Sequence, residues 1–315
     1  GSFELAEKMI KAAAIAGVDA VKFQTFLPEN FISNEDVSRL NRLKKFQLSY
    51  EEFSKLQKIA LNNDLVFFST PLDIDSAVFL NKIQPVFKIA SGDNDFYPLI
   101  EIIANFGKPM ILSTGASNIL DIDKVYNKIL KLKSNSKQNL LNLALLHCVS
   151  SYPVPNEDVN LKSINYLKKK FPKVEVGYSD HTLGIEAAVL SVAAGARIVE
   201  KHFTLDKNFS DFRDHQLSAD PKEMSLMVNK IRMAEKMLGK DELKIQSCEE
   251  ETNILGRRSI AVKYDIDQGQ KLSLSDLVWV RPRKGFCPGE EKKIIGRKLL
   301  RNLKKGEIIK KSDIN

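Results

Sequence analysis

Cysteine is scarce in this chain: Cys148, Cys248 and Cys287 are its three, among 315 residues. They are far apart, odd in number and form no CxxC, so neither a disulfide framework nor a zinc cluster is implied. A reducing cytoplasm suits such a chain best. Long apolar runs are missing too. None approaches the roughly 18 residues that a membrane span needs, so no membrane partner is expected. The opening residues read as an amphipathic helix, so no signal peptide is expected either. Negative charge is outweighed, with 48 Lys and Arg against 40 Asp and Glu and a net charge of +8. A basic balance can signal nucleic acid, but no groove-reading motif accompanies it. The lysines are scattered, with small clusters at Lys168-Lys169-Lys170 and Lys304-Lys305, as on solvated helix faces. No nucleic-acid partner is expected.

What is present is an alternation. Hydrophobic residues make up 43% of the chain, enough for a sizeable core. Short apolar runs read as strands at 20–26, 65–70, 86–90, 109–114, 143–148, 174–179 and 197–203. Helical patterns at 51–63, 73–82, 98–106, 121–132, 161–171 and 185–194 fall between most of them. Strand followed by helix, repeated, means a parallel sheet. A helix over Phe3–Ala16 precedes the first strand, and in a βα repeat such a helix itself follows a strand. Seven strands plus that one make the eight of a (β/α)₈ barrel, so the fold class is α/β, a TIM barrel whose first strand is expected to be missing from this chain.

After Asp220-Pro221 a helical stretch runs to about Gly239, closing a barrel domain over 1–240. Residues 241–252 are polar and read as a linker. Residues 253–315 change character, with short strands, glycine turns and an internal repeat. Ile266-x-x-Gly269-x-x-Leu272-x-x-Ser275-Asp276-Leu277 matches Leu303-x-x-Gly306-x-x-Ile309-x-x-Ser312-Asp313-Ile314 at every spacing. Each glycine supplies a turn and each Ser-Asp a capped turn, which predicts two half-domains packed as pseudo-twofold partners.

Catalytic groups of a barrel sit at the C-terminal ends of its strands, and residues two apart share a face. Lys22 and Gln24 share one face of the first strand. Lys88 stands in the apolar third strand. One lysine in such a place can snorkel outward; two on different strands favour a buried anion pocket. Ser113-Thr114-Gly115 ends the fourth strand, where hydroxyls and a closely approaching backbone suit a phosphate or carboxylate. His147 on the fifth reads as a structural, hydrogen-bonded core histidine. The sixth and seventh place Ser179 with His181 and Glu200 with His202. Two imidazoles at neighbouring strand ends can hold a divalent metal with positions open to substrate, and an N/O site of that kind suits Mn²⁺ or another borderline divalent ion. They can equally be two unrelated polar residues.

Val21-Lys-Phe-Gln-Thr, Phe68-Ser-Thr-Pro, Lys88-Ile-Ala-Ser-Gly-Asp, Leu112-Ser-Thr-Gly, Leu146-His-Cys, Gly177-Tyr-Ser-Asp-His-Thr and Glu200-Lys-His-Phe-Thr follow one another in this order. Together they closely resemble the bacterial sialic acid synthases, the family of N-acetylneuraminate, legionaminate and pseudaminate synthases. The tail resembles the antifreeze-like, or SAF, domain of those enzymes. The resemblance implies condensation of phosphoenolpyruvate with an open-chain N-acyl amino sugar, with His181 and His202 holding Mn²⁺ as a Lewis acid. It implies a phosphoenolpyruvate pocket of Lys22, Thr70, Lys88, Ser91, Ser113 and Ser179. Gln24, Asp93, Tyr152 and Asp214 would contact the sugar. Arg281 of Arg281-Pro282 would reach into the site of a neighbouring subunit, in a domain-swapped homodimer.

Three departures stand out. The family's first strand ends in Glu-Ile-Gly-x-Asn-His, with a catalytic glutamate, and that motif is absent here. Ser150 stands where some members have asparagine. The usual Arg-Pro-Gly is Arg281-Pro282-Arg283, with Gly285 two residues on. The Asp214-His215 pair resembles neuraminate and legionaminate enzymes more than pseudaminate ones. Two rival readings are an inert carbohydrate-binding homologue and a Schiff-base aldolase using Lys88 or Lys201. Lys201 points away from any site that His202 faces.

Overall fold

In the computed structural model, residues 1–135, 142–210 and 213–315 are described. They form two compact units, Gly1–Gly239 and Lys240–Asn315. The first runs α1 (Phe3–Ala16), β1 (Ala20–Thr25), α2 (Pro28–Phe31), α3 (Val37–Phe46), α4 (Tyr50–Leu61), β2 (Val66–Pro71), α5 (Ile74–Leu80), β3 (Phe87–Ile89), α6 (Tyr97–Asn105), β4 (Met110–Ser113), α7 (Ile119–Asn135), β5 (Leu143–Cys148), α8 (Lys162–Lys170), β6 (Glu175–Asp180), α9 (Glu186–Ala193), β7 (Val199–Lys201), α10 (Arg213–Leu217) and α11 (Pro221–Leu238). All strand pairings in this unit are parallel and follow sequence order, β1-β2 and β3-β4-β5-β6-β7. β2 lies beside β3. This is a TIM-barrel-like arrangement with seven strands among the described residues.

Sequence order produces this topology because each connection is a helix that must return the chain to the same end of the sheet. β4 and β5 are apolar up to their ends, and β3 is apolar except for Lys88; β3 and β5 are buried at every position. The main core lies between β3–β6 and the helices outside them, around Phe87, Ile89, Leu112, Leu145, Phe171 and Tyr178. β1 and β7 are different: most of their residues are only half-buried. The helix layer continues where the strand ladder does not. α1 packs on α4 at one side and on α11 at the other, and α11 packs on α9. Ala16, Ile185, Ala188, Met224 and Met227 form the buried seam there.

Helix ends follow local chemistry. Ser49 and Glu52 make a reciprocal capping box at α4, as do Asp220 and Glu223 at α11, where Pro221 occupies the first turn. The seventh strand is shorter than its apolar pattern predicts. Its ladder ends at Lys201, and Phe203 instead pairs with Ala219 beyond α10. The helix α3 was not expected: it buries no residue, so it lacks a core-facing pattern to read, and its start is set by the Asp36 cap on the Arg39 N–H.

In the second unit, the stretch expected to be a plain linker carries a 3₁₀ turn at Ser247–Glu249 and the first half of α12 (Glu250–Leu255). β8 (Ser259–Val262) pairs antiparallel with β9 (Leu277–Val280). The two repeat copies pair with each other: Ile266 and Leu303 exchange backbone hydrogen bonds of 2.9 Å each way. Gly269 (φ +85°) and Gly306 (φ +81°) make equivalent left-handed turns, and Asp276 and Asp313 close equivalent 3₁₀ turns. The repeat is thus a pseudo-twofold around one small core containing Ile266, Leu272, Leu303 and Ile309.

Candidate active site

Four strands bring charge to one point. Lys22 on β1 and Lys88 on β3 place their ammonium groups 4.0 and 3.9 Å from Glu200 Oε1 on β7. Ser179 Oγ on β6 donates to the same oxygen at 3.1 Å. The two lysines expected to face an external anion therefore face a carboxylate of the chain itself. Burial alone would push the Glu200 carboxyl up, but Lys22, Lys88 and the Ser179 hydroxyl hold it down at about 2. Lys88 is 3% exposed, and burial lowers its pKa. Two cations against one anion leave a surplus positive charge.

The strands flanking β3 end in hydroxyls. Thr70 Oγ1 and Ser113 Oγ are buried and have no hydrogen-bond partner. Buried hydroxyls without protein partners are rare, and these two keep their hydrogen-bonding capacity free for a bound group. Ser91, Ser150 and Gly115 meet nearby. The Gly115 N–H donates to Ser91 Oγ at 3.1 Å, and a Cβ on Gly115 would collide with the hydroxyls of both serines. The glycine keeps a backbone cradle open beside the hydroxyl pair. Cys148 at the end of β5 is buried, and burial raises its pKa.

His181 and His202 come together as their strand positions predict. Their ring centroids are 5.2 Å apart, and the Tyr152 ring lies 4.2 Å from His181 and 6.1 Å from His202. His181 Nδ1 lies 2.9 Å from the Val149 carbonyl. A carbonyl only accepts, so Nδ1 carries the proton and Nε2 keeps its lone pair. Burial, then Lys22 and His181, pushes His202 down to about 3; burial also lowers His181. Both imidazoles are neutral at pH 7, the form that ligates a metal. Among the described residues no third His, Cys, Asp or Glu completes a metal cluster with them. The donor set fits a divalent ion held by two nitrogens, with its other positions open to water and substrate.

The remaining candidates divide. Asp93, in the 3₁₀ turn after β3, is pushed up to about 6 by burial and by Asp95, against the pull of Lys88. Gln24 is exposed at the end of β1. Asp214 lies in α10 next to His215, whose Nδ1 is 2.8 Å from Thr204 Oγ1 beyond β7. Arg281 lies in the second unit, exposed just after β9. His147 is the structural residue it was read as: Nε2 bonds the Val159 carbonyl at 2.8 Å. Lys201 does turn off the site. Its Nζ is 2.9 Å from Asp180 Oδ2, and the side chain is 1% exposed. Strand alternation puts Glu200 on the face of His202 but does not by itself reveal it as the partner of the lysines. An inward carboxylate in a barrel needs cations, and that rule applied to Glu200 would have found it.

The low His202 pKa fixes a pH dependence. An unfolded histidine takes up a proton near pH 6.5, whereas folded His202 stays neutral to about 3. Between those values the unfolded state binds the extra proton, so stability is full above about 6.5 and falls as pH drops toward 3, by up to about 1.4 kcal/mol per pH unit. Urea unfolding in EDTA from pH 7 to 4.5 should show this slope, and His202→Asn should flatten it. An unchanged slope in the variant would contradict the assignment.

Residues 9–243 match the NeuB family and residues 257–315 the SAF domain. The chain is 37% identical to the N,N'-diacetyllegionaminic acid synthase of Campylobacter jejuni, over 98% of this chain and 95% of that protein. It is 36% identical to the pseudaminic acid synthase of the same species, over 99% and 93%. The crystal structure of N-acetylneuraminic acid (sialic acid) synthetase from Leptospira borgpetersenii serovar Hardjo-bovis in complex with citrate is similar, with a TM-score of 0.73 at 35% identity, over 79% of this chain and 85% of that one. With matching motifs, fold and tail, this chain belongs to the NeuB family of sialic acid synthases and carries a SAF domain.

Proposed function

We propose that this chain is a synthase that condenses phosphoenolpyruvate with an open-chain N-acyl amino sugar, either N-acetylmannosamine or a 2,4-diacetamido trideoxy hexose, to give a nonulosonic acid and phosphate. C3 of phosphoenolpyruvate bonds to the sugar aldehyde carbon, water adds at C2, and phosphate leaves by C–O cleavage. One observation carries the reading: the two lysines that share the single carboxylate of Glu200 lie at the same strand ends as a pair of neutral imidazoles, with Lys22 and Glu200 close enough to His202 to act on its charge. Lys22 and Lys88 would neutralise the phosphate and carboxylate, with Thr70, Ser91, Ser113, Ser150 and Ser179 as hydroxyl donors. His181 and His202 would hold a divalent ion, Mn²⁺ by family resemblance. Such an ion, when bound, supplies Lewis-acid polarisation of an aldehyde oxygen. Gln24, Asp93, Tyr152 and Asp214 would orient the sugar. Arg281 would act on a neighbouring subunit's site in a domain-swapped homodimer. Three unpaired cysteines and the lack of any helix, among the described residues, long and apolar enough to cross a membrane support a cytoplasmic setting.

Phosphate release from phosphoenolpyruvate tests this directly. The chain, and a version extended by the family's Glu-Ile-Gly-x-Asn-His strand, would be assayed with each sugar in Mn²⁺ or EDTA. Sugar-dependent, EDTA-sensitive release is expected. Silence from both folded versions across the panel would favour an inert sugar-binding homologue.

A further inference from the structure

His181 and His202 each stand one residue past the end of the β6–β7 ladder, whose last register pair is Asp180 with Lys201. No ladder rung fixes the interval between the two imidazoles. The opposite face of the same strands holds a side-chain rung that does. Asp180 is fully buried, and its Oδ2 accepts from Lys201 Nζ at 2.9 Å. Asp180 Oδ1 accepts from the Thr182 N–H at 2.9 Å, from Thr182 Oγ1 at 2.8 Å and from Tyr178 OH at 3.0 Å. Lys201 Nζ also donates to the Thr182 carbonyl at 2.6 Å. The residue before His181 and the residue after it are thus tied to one pair, and the other half of that pair is the residue before His202.

A buried ion pair is a poor way to gain stability, because desolvation offsets the attraction and apolar replacements are often neutral. Its place at the last rung, between the two histidines, suggests a different use. We infer that the Asp180–Lys201 pair is a positioning strut that sets the separation of His181 and His202 for a shared divalent ion. This rests on the metal reading proposed above. The strut acts from the far face, so it touches neither the ion nor the substrates. Two further bonds hold each imidazole's surroundings independently: Val149 fixes the His181 ring, and the Ala219 N–H donates to the His202 carbonyl at 2.8 Å. Loss of the strut therefore loosens the interval between the rings and leaves each ring in place on its own strand.

The test titrates the metal-free full chain with Co²⁺, following its visible absorption and the binding heat, with phosphoenolpyruvate affinity measured separately in EDTA. Wild type should bind one Co²⁺, and His202→Ala should lose it. Asp180→Asn/Lys201→Met removes both charges at similar volume, so no charge is left buried alone. This variant should unfold in one transition and keep its phosphoenolpyruvate affinity. Its Co²⁺ affinity should be weaker by about ten- to a hundredfold, the usual loss when an outer partner of a ligand is removed. Thr182→Val keeps both charges and deletes one bond to Asp180; it should weaken Co²⁺ several-fold. Wild-type Co²⁺ affinity in the folded double variant would overturn the strut. If the double variant does not fold, unchanged Co²⁺ affinity in Thr182→Val overturns it instead. Co²⁺ binding that survives His202→Ala, or none in wild type, would sink the metal reading itself and the strut with it.

Discussion

Alanine at either His181 or His202 should lower sugar-dependent phosphate release by at least about a thousandfold, roughly 4 kcal/mol of barrier. The size follows from the donor count. Two neutral imidazoles lie with ring centroids 5.2 Å apart, and no third protein ligand stands by among the described residues. A site with two protein ligands has no reserve: one imidazole does not retain a divalent ion against water, whereas a four-ligand site can lose one and still bind. The variants should remain folded. His202 is held neutral by burial and by Lys22, which costs stability below about pH 6.5, where the unfolded imidazole protonates; its removal lifts that cost and should raise stability there. Steady-state rates in Mn²⁺ and in EDTA, with urea melts on the same samples, check both halves. Near-normal turnover in either variant would refute the metal assignment.

Lys88→Met is expected to raise the KM for phosphoenolpyruvate by about a hundredfold or more, near 3 kcal/mol, the usual scale for deleting one partner of a buried charge contact. Lys88 is 3% exposed, while the Lys22 side chain is 22% exposed. Water can enter where Lys22 is truncated but not where Lys88 is, so Lys22→Met should cost less. Stability should change little in Lys88→Met. The lost ammonium was itself desolvated, and Glu200 keeps Lys22 and Ser179. Lys88 thus serves binding more than folding, a common division at active sites. The opposite ranking of the two lysines would place the anion pocket on the β1 side.

Much of this is legible in the sequence, because strand and helix periodicities are local. The strand Leu143–Cys148 and the helix Phe3–Ala16 appear as their apolar spacing predicts. Face alternation alone placed His181 and His202 on one side and turned Lys201 away. The SAF repeat was visible as matched spacing, and its pairing of Ile266 with Leu303 follows from equal halves burying one core. The helix α3 was not legible, since a helix with no buried residue leaves no hydrophobic period to read.

The order of strands and helices, the face on which each strand-end residue lies and the family motifs can all be read along the chain. Those depend on neighbours a few positions apart. The convergence of Lys22, Lys88 and Ser179 on Glu200, the unpaired hydroxyls of Thr70 and Ser113, and the meeting of Asp180 with Lys201 behind the histidines emerge with the fold. Alternation says which way a side chain points, but the distance between groups on separate strands depends on barrel register and twist, which the whole packed core sets together.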